Sequence, residues 1–332
     1  MRYWKSILAL VMAPALLQTA EAQVKAGTAG AQFLKLSATA RGLAMADALL
    51  PLADDVSALY YNPGGLVQLS GWHSAVTHYA MPVDVTQNWA GVAYGNQEAG
   101  TAYGLALTFL NSGWMDETTP VRPEGTGRTF NYLDLAVGAS MAKRLTNKFS
   151  VGVTLKYINE STLEFNSAGW AADLGTFYDT GWRSLKMAMI ISNFGEEMKF
   201  IEKKYALPIL FKYGVSMDLM GKTEDEHYLQ GAFEFGHPSD NVEQIDVGLE
   251  YSFKDQFFLR MGKKVNAIQQ EDGIGYDPEI GYEYPLLSSD GLTVGAGFRW
   301  KREGWGDLGF DYAYAPSRYL EGWNMITLSW AR

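Results

Sequence analysis

Few residues in this chain have the types and spacing for chemistry. Gly221-Lys222-Thr223 carries the end of a phosphate-binding loop, but that motif needs a glycine at position 216, where Ser216 stands. The trio therefore reads as a turn between strands. The histidines are His73, His78, His227 and His237, with no HExxH and no pair at i, i+4. His73 and His78 fall on opposite faces of one strand pattern, so they cannot share a metal. No G-x-S-x-G occurs. The absence of cysteine excludes disulfides, thiolate metal sites and cysteine nucleophiles. The adjacent carboxylates Asp54 and Asp55 have two readings. They could bind calcium or line a ligand path, but the expected role is structural: with Ser57 they cap the helix that follows and bond to the wall around it. No enzyme, cofactor or metal site is expected.

The elements that would position such residues are strands. At 332 residues the chain could hold two average soluble domains or one large barrel. Aromatic residues make up 14% and glycines number 35, yet mean hydropathy is slightly polar at −0.12. A helical membrane protein needs apolar spans of about 20 residues, and none follows the N-terminus. Residues 1–22 read as a secretory signal: Arg2 and Lys5, an apolar stretch from Ile7 to Leu17, then Ala20-Glu21-Ala22 before Gln23. Its removal takes the formal charge from −10 to −11. That acidity excludes nucleic acid as a partner, which requires a basic face.

From Gly71 onward the pattern alternates with period two. Ile245, Val247, Leu249, Tyr251 and Phe253 alternate with Asp246, Gly248, Glu250 and Ser252. Leu292, Val294, Ala296, Phe298 and Trp300 alternate with Thr293, Gly295, Gly297, Arg299 and Lys301. A strand places such apolar residues on one face, and a helix does not. Fourteen runs can be marked, near 71–79, 86–96, 101–110, 129–142, 148–160, 168–179, 184–193, 208–219, 226–236, 243–253, 256–263, 291–301, 306–314 and 322–331. Most exceed the five or six residues usual in soluble strands and suit a tilted membrane crossing. The connections 111–128, 194–207 and 264–290 are long, whereas 97–100, 143–147 and 254–255 are short. This predicts an all-β fold: a transmembrane antiparallel β-barrel of about 14 strands over 71–332, with outer-membrane lipid around it.

The second face of the strands carries Asp134, Lys156, Asp173, Lys186, Lys212, Asp218, Glu234, Asp246, Glu250, Arg299, Lys301 and Asp311. Facing lipid, each would cost about 2–4 kcal/mol at mid-depth, so they are expected in the lumen, paired with one another. A barrel this wide is not filled by side chains alone. The segment 23–70 is the expected helical or looped plug, with a short helix in Ser37–Ala46 capped by Ser37, and the turn Asn62-Pro63-Gly64 docking it. The loop 264–290 contains GIGYDPEIGYEYPLL. Its Tyr276, Asp277, Pro278, Tyr282 and Tyr284 form a candidate partner-binding surface, since tyrosine gives large contact area at small entropic cost.

GTAGAQFLKLSATARGLAMADA followed by LADDVSALYYNPGGL resembles the N-terminal signature of PorV/PorQ family outer-membrane proteins, themselves related to FadL/TodX-type barrels. Gly64 departs from the alanine usual in the related barrels. The resemblance implies a Gram-negative outer-membrane location and a part in type IX secretion. The barrel would then capture the C-terminal signal domains of exported cargo at its loops, alongside other secretion-machinery proteins. The wider FadL likeness implies an alternative: uptake of hydrophobic small molecules past an N-terminal hatch and through a lateral wall opening.

Overall fold

The computed structural model describes residues 28–162, 165–200, 202–222, 226–241, 243–266, 291–302, 304–316 and 322–332. Fourteen strands close one antiparallel barrel. In chain order they are β1 (Gly71–Ala80), β2 (Thr86–Asn96), β3 (Thr101–Asn111), β6 (Tyr132–Arg144), β7 (Phe149–Thr162), β8 (Phe165–Asp179), β9 (Lys186–Gly195), β12 (Leu210–Met220), β13 (His227–Pro238), β14 (Gln244–Phe253), β15 (Phe257–Asn266), β16 (Leu292–Arg302), β17 (Gly306–Ala315) and β18 (Trp323–Ala331). Two small hairpins lie in connections: β4 (Met115–Asp116) with β5 (Thr129–Phe130), and β10 (Met198–Phe200) with β11 (Lys203–Tyr205). Each barrel strand pairs with its neighbour in sequence, and β1 pairs with β18 to close the ring.

All fourteen expected strands form, within a few residues of their marked ends. The run marked at 129 divides: Thr129 and Phe130 belong to the β4–β5 hairpin, and the wall begins at Tyr132. Strand β8 starts at Phe165, so β7 and β8 make the tallest hairpin, at 14 and 15 residues. The loop alternation is less regular than expected. At the end opposite the chain termini (the loop end), the connections 81–85 and 163–164 are short, like those at the terminal end.

Alternation sorts the side chains as expected. Val76, Leu105, Leu155, Leu174, Leu259, Phe310 and Leu328 are exposed on the outer wall, and Trp72 stacks near Tyr94 and Phe257 near Phe298 on that face. Inside lies the plug. Helix α1 (Ala40–Ala44) and helix α2 (Ala58–Tyr61) are each a single turn, with 3-10 turns at Gln32–Lys35 and Pro63–Gln68. The cap of α1 is Thr39, whose side chain accepts from Gly42 N, and not Ser37. Ala40 N is taken by Thr327 Oγ1 of the wall at 2.8 Å, which fixes where the helix begins. Most of 31–69 is buried, so the molecule's core is the plug against the inner wall. The expected signal segment 1–22 lies outside the described residues.

Candidate functional site

Two seats hold the plug, and they use different chemistry. The first faces β7 and β8. Gly152 and Gly175 are direct partners across those strands. A Cβ on Gly152 would lie 2.2 Å from the Pro63 carbonyl carbon, and one on Gly175 would lie 2.4 Å from Asn62 Oδ1. Only glycine lets the Asn62-Pro63-Gly64 backbone rest on the wall. Asn62 is fully buried and saturated: Nδ2 donates to Leu50 O at 3.2 Å and Thr176 O at 3.1 Å, while Oδ1 accepts from Gly64 N at 3.0 Å. Ser150 Oγ donates to Gly64 O at 2.8 Å. The sequence-marked residues Asn62, Pro63 and Gly64 thus come together as a docking turn.

The second seat is ionic. Arg41 in α1 forms a fork with Glu250 of β14, Nε to Oε2 at 2.9 Å and Nη2 to Oε1 at 3.0 Å. Its Nη1 donates to Asp54 Oδ1 at 2.6 Å and Asp55 Oδ2 at 2.9 Å. Glu250 also meets Arg260 of β15, which reaches Asp311 of β17 at 2.6 Å, and Arg299 of β16 joins Asp311 at 2.8 Å. One alternating chain of charge therefore runs from plug to wall. Bidentate guanidinium–carboxylate geometry makes such contacts both strong and directional. Asp55 Oδ1 also accepts from Ser57 N at 2.8 Å, just ahead of α2, while Ser57 Oγ, at the helix's N-cap position, is buried without a partner among the described residues. Arg41 thus supplies the counter-charge of Asp54 and Asp55.

Lys212 of β12 lies 3.1 Å from both Glu234 and Asp246, and Glu234 also accepts from Leu50 N of the plug. Lys264 pairs with Asp47 of the plug at 3.0 Å, and Lys35 of the plug with Asp240 at 2.8 Å. Burial alone would raise the Asp47 carboxyl, but the Lys264 and Lys212 ammonium groups outweigh it and hold the carboxyl down to about 2. The expected mutual pairing of lumen charges is what the wall shows at Lys156–Asp173, Lys212–Glu234, Lys212–Asp246 and Arg299–Asp311. Sequence reading missed Arg41, Asp47, Glu160, Arg260 and Lys264. The last three share the lumen parity of their strands, a signal that would have found them.

Above the plug lies a cavity of about 150 Å³. Leu34, Ile190, Leu210 and Pro238 line it with Tyr60, Tyr61 and the four ammonium groups of Lys35, Lys156, Lys212 and Lys264. The wall beside it is interrupted. Between Ala172↔Phe194 and Leu174↔Ile191, β9 spends three residues where β8 spends two, which makes a bulge at Ser192 and Asn193. Asn193 takes φ 59° and is buried, with its N–H donating to Asp173 Oδ1 at 2.8 Å and Nδ2 donating to Pro208 O at 3.1 Å. Beyond the bulge β9 turns toward the β10–β11 hairpin, and its ladder with β12 spans only Leu210↔Ser192 to Ser216↔Lys186. The loop residues Tyr276, Asp277, Pro278, Tyr282 and Tyr284 lie outside the described residues.

The fold is that of known outer-membrane transporters. The chain superposes on a Pseudomonas aeruginosa FadL homologue with a TM-score of 0.57 at 10% identity, over 89% of this chain and 98% of that one. The Ralstonia pickettii toluene transporter TbuX matches with a TM-score of 0.56 at 11% identity, over 89% and 99%. The Pseudomonas putida toluene transporter TodX matches at 0.55 and 10%, over 89% and 97%. This is a FadL-like barrel. No protein-family model matches the chain, and no curated protein does.

Proposed function

We propose that this chain is an outer-membrane transporter of small hydrophobic molecules bearing a polar end, with the cavity beside the β9 bulge as its binding chamber. The single observation that carries this reading is the position of that cavity, between the plug and the wall where the β8–β9 ladder shifts register. Size favours a small cargo, since a cavity near 150 Å³ suits a molecule about as large as benzene. The lysines and tyrosines around it favour a ring with a polar substituent over a bare hydrocarbon. The similarity in fold to the toluene transporters agrees with that scale, and the apolar outer wall agrees with a bilayer location.

A second reading draws on the exposed surface at the loop end. Trp114 is 73%, Val83 80% and Val121 89% exposed there, as a protein-capturing surface requires. With the N-terminal signature, this supports capture of secreted cargo domains. It stands behind transport, because the solved structures that share the fold include FadL-type transporters and the signature's own residues are occupied in docking the plug. Purification from native membrane in mild detergent, with mass spectrometry of bound proteins and small molecules, tests both. A bound aromatic compound, lost in Leu210→Arg with the barrel intact, supports transport. Exported proteins sharing a C-terminal domain, with no such compound, overturn it.

A further inference from the structure

Nine acidic residues are buried among the described residues, and seven of them touch a Lys or Arg: Asp47, Asp173, Glu234, Asp240, Asp246, Glu250 and Asp311. The two exceptions are neighbours. Asp134 of β6 and Glu160 of β7 are direct partners across the ladder, each 5% exposed, both on the lumen face near the loop end. Directly opposed side chains have Cβ atoms about 4.5–5.5 Å apart, where like charges repel. The row continues onto β8, where Ser167 is the direct partner of Glu160. Asp134 Oδ1 and Ser167 Oγ are both buried with no hydrogen-bond partner among the described residues. Glu160 Oε1 accepts from Ala31 N at 3.0 Å and from Tyr132 Oη at 3.3 Å, so the plug's first turn closes over the pair.

We infer that Asp134, Glu160 and Ser167 form a site for a hard divalent cation, with Ca²⁺ as the ion. A buried carboxylate oxygen such as Asp134 Oδ1, with neither a hydrogen bond nor a counter-charge, is strongly unfavourable, and the other seven buried carboxylates among the described residues each meet a cationic side chain. At Asp134 and Glu160 none of the described residues does, while every side-chain ligand atom in the row is oxygen. That donor set selects Ca²⁺ or Mg²⁺ over thiolate- and imidazole-seeking metals. Two carboxylates of variable denticity, one hydroxyl and waters suit the irregular six- to eight-fold shell of Ca²⁺ better than the strict octahedron of Mg²⁺. The ion would neutralise the pair and, through Glu160 and Ala31 N, pin the start of the plug to the β7 wall. The inference does not depend on what the barrel carries.

The test uses the full chain in detergent, stripped with EDTA and dialysed. Tb³⁺ serves as the probe, because the hydroxyl of Tyr132 on Glu160 places an excitable phenol beside the ion. We expect one tight equivalent with tyrosine-sensitised emission, displaced by Ca²⁺, and binding at least tenfold weaker in Asp134→Asn. Glu160→Gln should match it while keeping an oxygen for Ala31 N, so folding is preserved by design. Strand circular dichroism confirms the barrel in each variant. Equal binding by wild type and both variants overturns the site. An infrared band of a protonated carboxylic acid at neutral pH, present in wild type and absent in Asp134→Asn, overturns it too, because the pair would then be sharing a proton.

Discussion

The β7–β8 wall and the β14–β17 wall hold the same plug by opposite means. On β7 and β8 the contact is backbone against backbone, with Gly152 and Gly175 leaving no side chain between wall and turn. On β14 to β17 it is side chain against side chain, through Arg41, Glu250, Arg260 and Asp311. The glycine seat sets distance: it tolerates no added atom and depends little on pH or salt. The ionic seat sets orientation and compensates buried charge, so it fails when one member is removed. A plug fixed on both sides is a poor candidate for wholesale ejection, so on the transport reading proposed above the wall bulge at Ser192 and Asn193 is the route to test.

The largest expected effect comes from breaking the ionic seat. Arg41→Ala leaves Glu250, Asp54 and Asp55 without their shared partner, a loss of about 3–5 kcal/mol in plug docking. The chain has no cysteine, so a single spin label at position 68 reads plug mobility directly. Arg41→Met with Glu250→Gln should restore much of the order. If the single variant's plug stays as immobile as wild type, the ionic seat is incidental. Gly152→Val attacks the other seat, with steric overlap against Pro63 at the upper end of the about 1–3 kcal/mol usual for overpacking. Ion conductance across a planar bilayer should rise as the terminal end opens, without the salt dependence expected of Arg41→Ala. Equal salt dependence in the two variants would erase the distinction between the seats.

The barrel was legible and the seats only partly so. Strict alternation over runs such as Ile245–Phe253 fixes strand, face and length at once, because one residue of slip would turn Asp246 and Glu250 outward. Irregularities were not legible. The β9 bulge depends on Asn193 adopting a positive φ, held by Asp173 twenty residues away, and no local signal marks it. The Asn62-Pro63-Gly64 turn was visible as a turn, while its meaning lies in Gly152 and Gly175, residues that alternation alone presents as gaps. Asp54 and Asp55 were expected as structural plug residues, with their partners unidentified. Arg41, thirteen positions before Asp54, pairs with both, and that partner cannot be read from spacing.

The smallest effect sharpens the ionic seat at one contact. Asp47 follows α1 with φ 63°, its N–H donating to Gly42 O at 2.8 Å, and its Oδ1 takes the Tyr61 hydroxyl at 2.9 Å while Oδ2 takes Lys264. Its carboxyl lies at about 2 in the docked plug against an ordinary value of 3.8. A depressed carboxyl contributes docking stability that is complete above about pH 4 and falls away as pH drops toward 2, about 2 kcal/mol in all. The spin label should therefore loosen across that window in wild type. Asp47→Asn, which keeps an acceptor for Tyr61 and lacks the charge, should be looser at neutral pH and flatter below pH 4. A variant profile parallel to wild type through that window would assign the acid response to other carboxylates and reduce Asp47 to a hydrogen-bond acceptor for Tyr61.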